Sequence, residues 1–483
     1  MNIERALQIA KREWGNVRVF LQKISFWGSG IIIVIAVFVI QLCGLNSHAQ
    51  STSAQIQELK KQIEAIQQQN QRQIEELRKK IEELEAQKTA DQEKTEELTA
   101  KEEEEDKDAW WKKVEVGYKK PGDGFTIKSK DGLFSLRTRL RTQLQFSIND
   151  TDDEDVATDF NVRRFRLIFD GNVFTPWLLY YLQVSTDNNG SFSLLDAYFD
   201  FAYNTKFVPR PGQYKVPFTR EFLNSTSELQ LVERSIVNDE FSLGRSRGAS
   251  IYGVLGNFIT YGAGVFNGNG TNGASIDSNM LYAGRIMFTP CCGELKYANS
   301  SFPSGGDYKI EPNFGADKPL IAIGVAAAGI PGLKIDDKEP SAAIADRFEQ
   351  IGATEGDVFS LTADANFKYS RFSIEGEFDY RNINPEEPAG LVSSVNDYGV
   401  RAQTGFFVYP DFIEIAGRYA QIWYDTDVEG PDTSWQLTPG INFYLSKNHK
   451  YKVQLDYSFI RNEFTDSDDI DENIFRAQLQ LYF

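Results

Sequence analysis

The last twelve residues of the chain alternate between apolar and polar positions. The two faces repeat at a period of two, with Phe475, Ala477, Leu479, Leu481 and Phe483 on one and Arg476, Gln478, Gln480 and Tyr482 on the other. This pattern predicts a β-strand with one apolar and one polar face. A chain that ends on such a strand at an aromatic residue, after an export signal and many similar strands, is typical of an outer-membrane β-barrel.

Residues 134–148 show the same alternation over a longer stretch. The apolar face runs from Phe134 to Ile148, and the polar face carries Arg137, Arg139 and Arg141. An arginine that points into lipid costs about 2–4 kcal/mol near the middle of the membrane. We therefore expect these three arginines to face a water-filled lumen.

Comparable alternation returns along the rest of the chain, between polar, Gly-rich or Asp-rich gaps. The segments are 164–173, 178–187, 195–201, 258–266, 282–288, 359–369, 372–380, 400–408, 412–424, 441–444 and 451–459. A barrel strand with its share of turn and loop takes roughly 20–25 residues, because about ten of them cross the membrane. Residues 110–483 therefore predict an all-β transmembrane barrel of about 16 antiparallel strands, with 14 or 18 as alternatives. A barrel of this size encloses an aqueous channel unless something plugs it.

Helical membrane spans do not fit the composition. Mean hydropathy is −0.39, and Ile31 to Ile40 is the one continuously apolar stretch. Basic residues precede this stretch, and Ser47-His48-Ala49 follows it as a small-residue cleavage site. These features predict a signal peptide over residues 1–49, with a single membrane anchor as the alternative.

Residues 50–109 differ from the rest, since they are rich in Gln, Glu and Lys. Apolar residues recur there at a three-four spacing, at Ile56, Leu59, Ile63 and Ile66, then at Ile74, Leu77, Ile81 and Leu84. This is the seam of a coiled coil, and isoleucine at both seam positions favours three helices. The alternative is a lone charged helix or a spacer.

Charge and composition exclude several classes of protein. The formal net charge is −18, which argues against nucleic-acid binding. Of the two histidines, His48 leaves with the leader and His449 stands alone, so we expect no metal site, no cofactor and no histidine-based catalysis. Acidic segments at 149–155 and 465–472 lack the spacing of a calcium loop and are interpreted as solvated loops. We expect no enzymatic activity.

Six motifs in the first half of the barrel occur in a recognisable order. They are Val162-Arg-Arg-Phe-Arg-Leu167, Leu195-Asp-Ala-Tyr198, Gly212-Gln-Tyr-Lys-Val-Pro-Phe218, Glu233-Arg-Ser235, Gly244-Arg-Ser-Arg-Gly248 and Phe266-Asn-Gly-Asn-Gly270. In this order the chain resembles the phosphate-selective porin O and P family over about residues 125–483. The resemblance implies a 16-stranded trimeric barrel in which the third external loop folds inward, here about Thr219–Leu243.

The resemblance also implies that basic residues guide anions along the lumen. Five arginines would form this ladder, and further basic residues would lie near the constriction: Arg137, Arg139, Arg141, Arg164 and Arg166, then Lys215, Arg220, Arg234, Arg245 and Arg247. Arginine suits oxyanions because its planar fork donates two hydrogen bonds. The alternative is that neighbouring aspartates neutralise the ladder, with Asp170, Asp187, Asp196 and Asp200 as the candidates.

The predicted constriction departs from the family pattern. Thr219–Arg245 contains no lysine, and its five acidic residues outnumber its three arginines. Phosphate selectivity therefore does not follow from the resemblance alone.

These observations together predict an outer-membrane porin that passes small polar solutes by diffusion, with anions such as phosphate among the candidates. The resemblance implies a homotrimer in outer-membrane lipid. The coiled coil would lie in the periplasm, where it would stabilise the trimer or reach peptidoglycan. The alternative is an anchor, in which the coiled coil contacts the cell wall and the barrel is a membrane plug.

Overall fold

The computed structural model describes most of the chain beyond residue 112 and a small part before it. The described residues are 71–72, 75–76, 78–83, 113–118, 123–152, 154–186, 191–256, 258–273, 278–290, 311–335, 342–386, 392–465 and 467–483. The chain divides into two units, residues 1–107 and residues 108–483. In the first unit the described residues are helical and exposed. The signal peptide and most of the coiled coil lie outside the described residues and stay predictions. No helix in the described part of the chain is long and apolar enough to span a membrane.

The second unit consists mainly of β-strands. The strands are β1 Val114–Gly117, β2 Phe125–Ser129, β3 Ser135–Thr151, β4 Ala157–Asn172, β5 Leu178–Thr186, β6 Phe192–Phe201, β7 Val208–Lys215, β8 Arg245–Leu255, β9 Ile259–Phe266, β10 Leu281–Phe288, β11 Ala316–Lys334, β12 Glu355–Ser370, β13 Phe372–Pro385, β14 Val395–Tyr409, β15 Ile413–Trp423, β16 Thr433–Tyr444, β17 Tyr451–Glu463 and β18 Ile470–Tyr482. Three short helices lie in the connections: α1 Arg220–Leu223, α2 Ile236–Phe241 and α3 Ala342–Ile351.

Sixteen strands, β3 to β18, form a closed antiparallel barrel, so the predicted fold and strand number are confirmed. Each strand pairs with its neighbours in sequence, and β18 closes the ring against β3, with Tyr482 opposite Arg141. The main chains of Phe483 and Leu140 continue this ladder by exchanging hydrogen bonds of 2.6 and 2.9 Å. The two remaining strands form a hairpin, in which β2 pairs with the first residues of β3.

The two ends of the barrel differ in their connections. The end that holds Phe483, here called the turn end, carries short turns such as 173–177 and 256–258. The opposite end, the loop end, carries longer connections such as 216–244 and 335–354. In outer-membrane barrels the short turns face the periplasm and the long loops face outward. One connection departs from this rule, because 289–315 is long and joins strand ends, of β10 and β11, that lie at the turn end.

Side-chain burial follows the predicted alternation. In β3, Arg141, Gln143 and Gln145 are buried inside the barrel, whereas Leu144 between them is 44% exposed on the outside. Other strands also present exposed apolar side chains outward, including Val325, Ile374, Phe406, Ile415 and Leu437. An outer surface of this kind suits lipid, and the polar positions are left for the lumen.

The connection 216–244 between β7 and β8 folds into the lumen, and we call it the inward loop. It contains α1 and α2, and its apolar side chains are buried inside the barrel, among them Phe218, Leu229, Leu231, Val232, Val237 and Phe241. The helix α3, from the connection 335–354, buries Ile344 and Phe348 in the same apolar cluster as Phe218. The loop lies where the sequence predicted it, at Thr219–Leu243.

Candidate functional site

The inward loop is held across the lumen by hydrogen bonds from the wall to its main chain. Gln143 of β3 donates to the Thr226 carbonyl at 3.1 Å, and Gln480 of β18 donates to the Ser227 carbonyl at 3.1 Å. On the neighbouring strands of the same side of the wall, Lys452 of β17 donates to the Leu229 carbonyl at 2.7 Å, and Asn442 of β16 donates to the Gln230 carbonyl at 2.7 Å. Buried carbonyls need such partners, so these wall residues fix the path of the loop.

Ion pairs add a second set of ties between the loop and the wall. Glu221 of α1 lies 3.2 Å from Arg401 of β14 and 3.3 Å from Arg418 of β15. The neighbouring Arg220 pairs with Glu375 of β13 at 3.1 Å. Because a buried charge without a partner is costly, these pairs hold α1 against the β13–β15 wall.

Glu233 ties the other side of the loop to β4. Its two carboxylate oxygens lie 2.7 Å from Arg163 and 2.6 Å from Arg164. Burial of the Glu233 carboxyl would raise its pKa, but Arg164 and Arg163 outweigh this effect and lower the pKa to about 2. Glu233 is therefore ionised at any physiological pH.

Two arginines of the predicted ladder share one aspartate. Arg137 and Arg139 of β3 lie 2.6 and 2.5 Å from the carboxylate of Asp170 on β4. Arg139 also donates to the Tyr482 hydroxyl at 2.7 Å. The strand register explains this pairing, because Arg137 lies directly opposite Asp170.

The other aspartates proposed as partners of the ladder are Asp187, Asp196 and Asp200. Asp196 of β6 accepts two hydrogen bonds of 3.1 Å from Arg245 of β8. Asp200 pairs with Arg210, an arginine outside the predicted set, at 2.5 Å. Asp187 lies outside the described residues.

Three predicted basic residues near the constriction contact main chain. Lys215 donates to the carbonyls of Phe222, Leu223 and Asn224 at 2.5, 3.3 and 2.9 Å. Arg234 donates to the carbonyls of Glu221, Phe222 and Asn224, so both side chains cap the C-terminal end of α1. Arg247 is exposed on the face of β8 that also carries Ile251, and it donates to the Asn272 carbonyl at 3.1 Å.

Arg141 and Arg166 differ from the rest of the ladder. They lie directly opposite each other on β3 and β4, and no carboxylate pairs with either among the described residues. Arg141 donates to the Ser225 hydroxyl at 3.0 Å, and Arg166 donates to the Thr226 hydroxyl at 3.3 Å. Like charges in facing strand positions cost stability, so this pair is unfavourable unless another group balances it.

These two arginines line a cavity of about 90 Å³ between the wall and the inward loop, here called the arginine pocket. Its other charged residues are Arg139, Lys215, Arg245, Asp196 and Glu228, and its neutral polar lining includes Tyr181, Gln183, Ser225, Thr226, Ser227 and Tyr482. Five cations thus face two carboxylates. Within the described part of the chain, Arg139 Nε, Arg141 Nε and Nη2, Arg166 Nε and Gln183 Nε2 are buried without a hydrogen-bond partner.

Buried donors without partners are rare in folded proteins and require an explanation. Five such N–H groups belong to side chains that line one small cavity, whose excess of positive charge suits an oxyanion. The acceptor Glu228 Oε2, also buried without a partner in the described chain, limits how strongly an anion is held. The pocket is therefore chemically suited to a small oxyanion that is bound and released.

Sequence reasoning missed several residues of this site. Arg401 and Arg418 lie at inward positions of their strands, so the alternation that selected Arg139 would also have selected them. Ser225 and Thr226 carry no such signal, because the fold of the loop alone brings them to Arg141 and Arg166. No group of His, Cys, Asp or Glu in the described chain is arranged to hold a metal ion, and Cys291 and Cys292 lie outside the described residues.

Comparison with known proteins adds independent findings. The sequence model of the family "phosphate-selective porin O and P" matches residues 136–483. A protein of Aquifex aeolicus strain VF5, described as uncharacterized, is 24% identical over 302 residues, which cover 59% of this chain and 67% of that protein. Among solved structures, the outer membrane channel DcaP of Acinetobacter baumannii is 14% identical with a TM-score of 0.46, covering 74% of this chain and 99% of that one. OprB of Pseudomonas putida is 10% identical with a TM-score of 0.47, covering 72% of this chain and 94% of that one.

Proposed function

This chain belongs to the phosphate-selective porin O and P family and is an outer-membrane channel, and we propose that small polar solutes cross it by passive diffusion past the arginine pocket. Among these solutes we infer that oxyanions are favoured. Diffusive transport needs a site that binds an ion strongly enough to be occupied and weakly enough to release it. A cationic pocket with opposing carboxylates meets both requirements.

The observation that carries the proposal is the facing pair Arg141 and Arg166 with its unpartnered donors. The other ladder arginines Arg137, Arg139 and Arg164 each pair with a carboxylate that they share with a second arginine, so their charge is partly balanced. Fixed cations on a low-dielectric wall concentrate anions from solution. The proposal covers oxyanions as a class, with phosphate among them. It does not single out phosphate, because the ammonium group of Lys215 already donates to a main-chain carbonyl of α1.

The assembly and its surroundings are also proposals. We infer a homotrimer in the lipid of the outer membrane, with the turn end and the coiled coil of residues 50–109 in the periplasm. The isoleucine seam of that segment supports three strands, and the hairpin β1–β2 at the turn end supports entry of the chain from the periplasm. Peptidoglycan is the partner that a projecting coiled coil would reach.

One observation favours a second function, that of an anchor whose barrel is a membrane plug. The inward loop bonds to nearly opposite sides of the lumen, through Glu233 to Arg164 of β4 and through Arg220 to Glu375 of β13. A loop fixed on all sides could close the channel. Conductance separates the two functions.

The test uses the refolded full-length protein in a planar bilayer. Reversal potential is measured in a KCl gradient, and phosphate and sulfate are then added to find the concentration that halves the current. The variants Arg141→Gln and Arg166→Gln should raise this half-blocking concentration about tenfold, because each removes a charged donor to the anion. Arg461→Gln is the matched control, since Arg461 pairs with Asp471 at the loop end, away from the pocket.

The outcomes are distinct. An anion-selective current whose block weakens in the pocket variants and not in the control supports the proposal. Block that is unchanged in both pocket variants excludes the pocket as the anion path. Absence of current from correctly folded protein favours the anchor.

A further inference from the structure

The part of the long turn-end connection that directly precedes β11 lies inside the lumen. Its residues 311–315, here called the strap, follow directly on the undescribed residues 291–310. Glu311 and Asn313 are only 2% and 3% exposed. A connection on the short-turn side of a barrel normally stays at the surface, so a buried strap with a charged residue inside requires a reason.

Glu311 binds the inward loop at two places. Its Oε1 accepts a hydrogen bond from Asn224 Nδ2 at 3.3 Å, and its Oε2 accepts one from the Gln230 main-chain N–H at 2.8 Å. Oε2 also accepts from Gln403 Nε2 of β14 at 2.8 Å, which ties the same carboxylate to the wall. The main-chain N–H of Glu311 donates to the Glu228 carbonyl at 3.3 Å.

The two contacts bracket the part of the loop that lines the arginine pocket. Asn224 and Gln230 stand on either side of residues 225–228, and all four of these residues face the pocket. Ser225 and Thr226 are the partners of Arg141 and Arg166. Glu311 is not among the residues that line the pocket, so its carboxylate acts on the ends of the segment.

The strap is itself fixed to the barrel at two further points. Asn313 donates to the carbonyls of Ser370 and Phe372, at 3.1 and 2.9 Å, in the turn between β12 and β13. The ring of Phe314 lies 5.4 Å from Phe407 and 5.0 Å from Tyr444. Glu311 is thus held rigidly enough to define the position of the loop.

We propose that Glu311 is a positioning residue, which sets the spacing of the arginine pocket by clamping the loop segment 224–230 from the periplasmic side. The inference rests on the proposed role of the pocket as the path of oxyanions. When the clamp is present, Ser225 and Thr226 hold the two arginine side chains in place. When it is lost, the segment relaxes, and the pocket loses the geometry that an oxyanion needs.

The direction of the effect separates this role from simple electrostatics. Removing a carboxylate near a cationic pocket would, by charge alone, make anions bind more tightly. Loss of the clamp has the opposite consequence, since the arginine donors then no longer converge. Weaker anion block after removal of Glu311 is therefore a result that charge cannot explain.

The charged groups around Glu311 supply a second readout. Burial and the carboxylate of Glu375 raise the pKa of Glu311 above its ordinary value, and Glu221 acts in the same direction, whereas Arg401 opposes it. Lys452 also faces this group from β17. As pH falls through that raised pKa, Glu311 takes up a proton and loses acceptor strength for the Gln230 N–H.

The experiment measures sulfate block of single channels formed by the full-length protein, because sulfate keeps its charge over the range from pH 8 to 4. Glu311→Ala is expected to raise the half-blocking concentration about tenfold, and Glu311→Gln, which keeps the shape and one acceptor oxygen, by a smaller factor. In the wild type the block should weaken as pH falls, and in Glu311→Gln this dependence should be reduced. Folding of each variant is verified by its heat-dependent shift in gel mobility.

Glu414→Gln is the matched control. Glu414 is also a buried lumen carboxylate, but it accepts from the side chain of Gln230, at 2.7 Å, rather than from the loop main chain. Unchanged or tighter block in both Glu311 variants overturns the positioning role. If Arg141→Gln leaves the block unchanged as well, the proposed function fails; if Arg141→Gln weakens the block and the Glu311 variants do not, only the clamp fails.

Discussion

Glu233 and Arg164 join the inward loop to the barrel wall through an ion pair of 2.6 Å. Arg163 takes the other oxygen of the same carboxylate at 2.7 Å. A single loop residue therefore binds two arginines of β4, balances one of their two charges and fixes the loop beside the arginine pocket. Acidic residues set this loop apart from the family pattern. One of them, Glu233, has a structural role, because it anchors the loop to β4.

Replacement of Glu233 by glutamine should make the channel more anion-selective. The variant leaves Arg163 and Arg164 without their carboxylate, so the selectivity for anions should rise. It also frees one side of the loop, so the noise of the open-channel current should rise. Reversal potential in a KCl gradient and the variance of the open current measure the two effects. Glu355→Gln, at the exposed Lys334–Glu355 pair, is the control and should behave as the wild type. A shift toward cations in Glu233→Gln would contradict the assignment.

The same ion pair predicts how stability depends on pH. The pKa of Glu233 is lowered from 4.5 to about 2 in the folded protein. A carboxyl with a lowered pKa stabilises the fold above its unfolded pKa, and this stabilisation is lost as pH falls through the folded value. The contribution is on the order of 3 kcal/mol, because each pKa unit corresponds to about 1.4 kcal/mol.

The loss should therefore occur between about pH 4.5 and pH 2. Thermal unfolding of wild type and Glu233→Gln, measured across this range, tests it. The difference in stability between the two proteins should be largest above pH 4.5 and should shrink toward pH 2. A difference that is constant over the range would mean that the ion pair does not stabilise the fold.

Replacement of Asp170 tests the part of the ladder that pairs with a wall carboxylate, Arg137 and Arg139. Asp170 is the shared partner of these two arginines, so Asp170→Asn should release positive charge into the lumen at the turn end. Anion selectivity should increase, and sulfate block should tighten, because Arg139 also lines the arginine pocket. Breaking a buried pair also lowers stability, by about 3–5 kcal/mol where the charge left behind cannot reach water. Because Arg137 is partly exposed, with 40% of its side chain accessible, we expect a smaller loss.

Lys215 separates a structural role from direct anion binding. Its ammonium group donates to the carbonyls of Phe222, Leu223 and Asn224. Lys215→Met should lower the free energy of unfolding by about 1–3 kcal/mol, since buried carbonyls lose their donor. Lys215→Arg, which can still donate to carbonyls, should recover most of the stability. Weaker sulfate block in Lys215→Met at unchanged stability would instead identify Lys215 as an anion ligand.

The alternation along the chain was sufficient to predict much of this molecule. The face of β3 that carries Arg137, Arg139 and Arg141 was predicted to point inward, and it does, because an apolar-polar period of two leaves one face for lipid and the other for the lumen. The number of strands followed from the length of residues 110–483. The position of the inward loop came from the resemblance of the motifs around Gly212–Phe218. Strand assignments could have been carried further to include Arg401 and Arg418, which obey the same period.

The sequence by itself thus determined the class of fold, the inward faces and the set of basic residues available to them. Which arginines pair with a carboxylate and which do not was decided only by the tertiary structure. The strand register sets Arg137 opposite Asp170 and Arg141 opposite Arg166, and a local pattern carries no register between strands. The strap was likewise invisible in the sequence, since Glu311 reaches Asn224 across 87 residues of chain. Periodicity reports the face on which a side chain lies, whereas its partners depend on long-range pairing that only the closed barrel fixes.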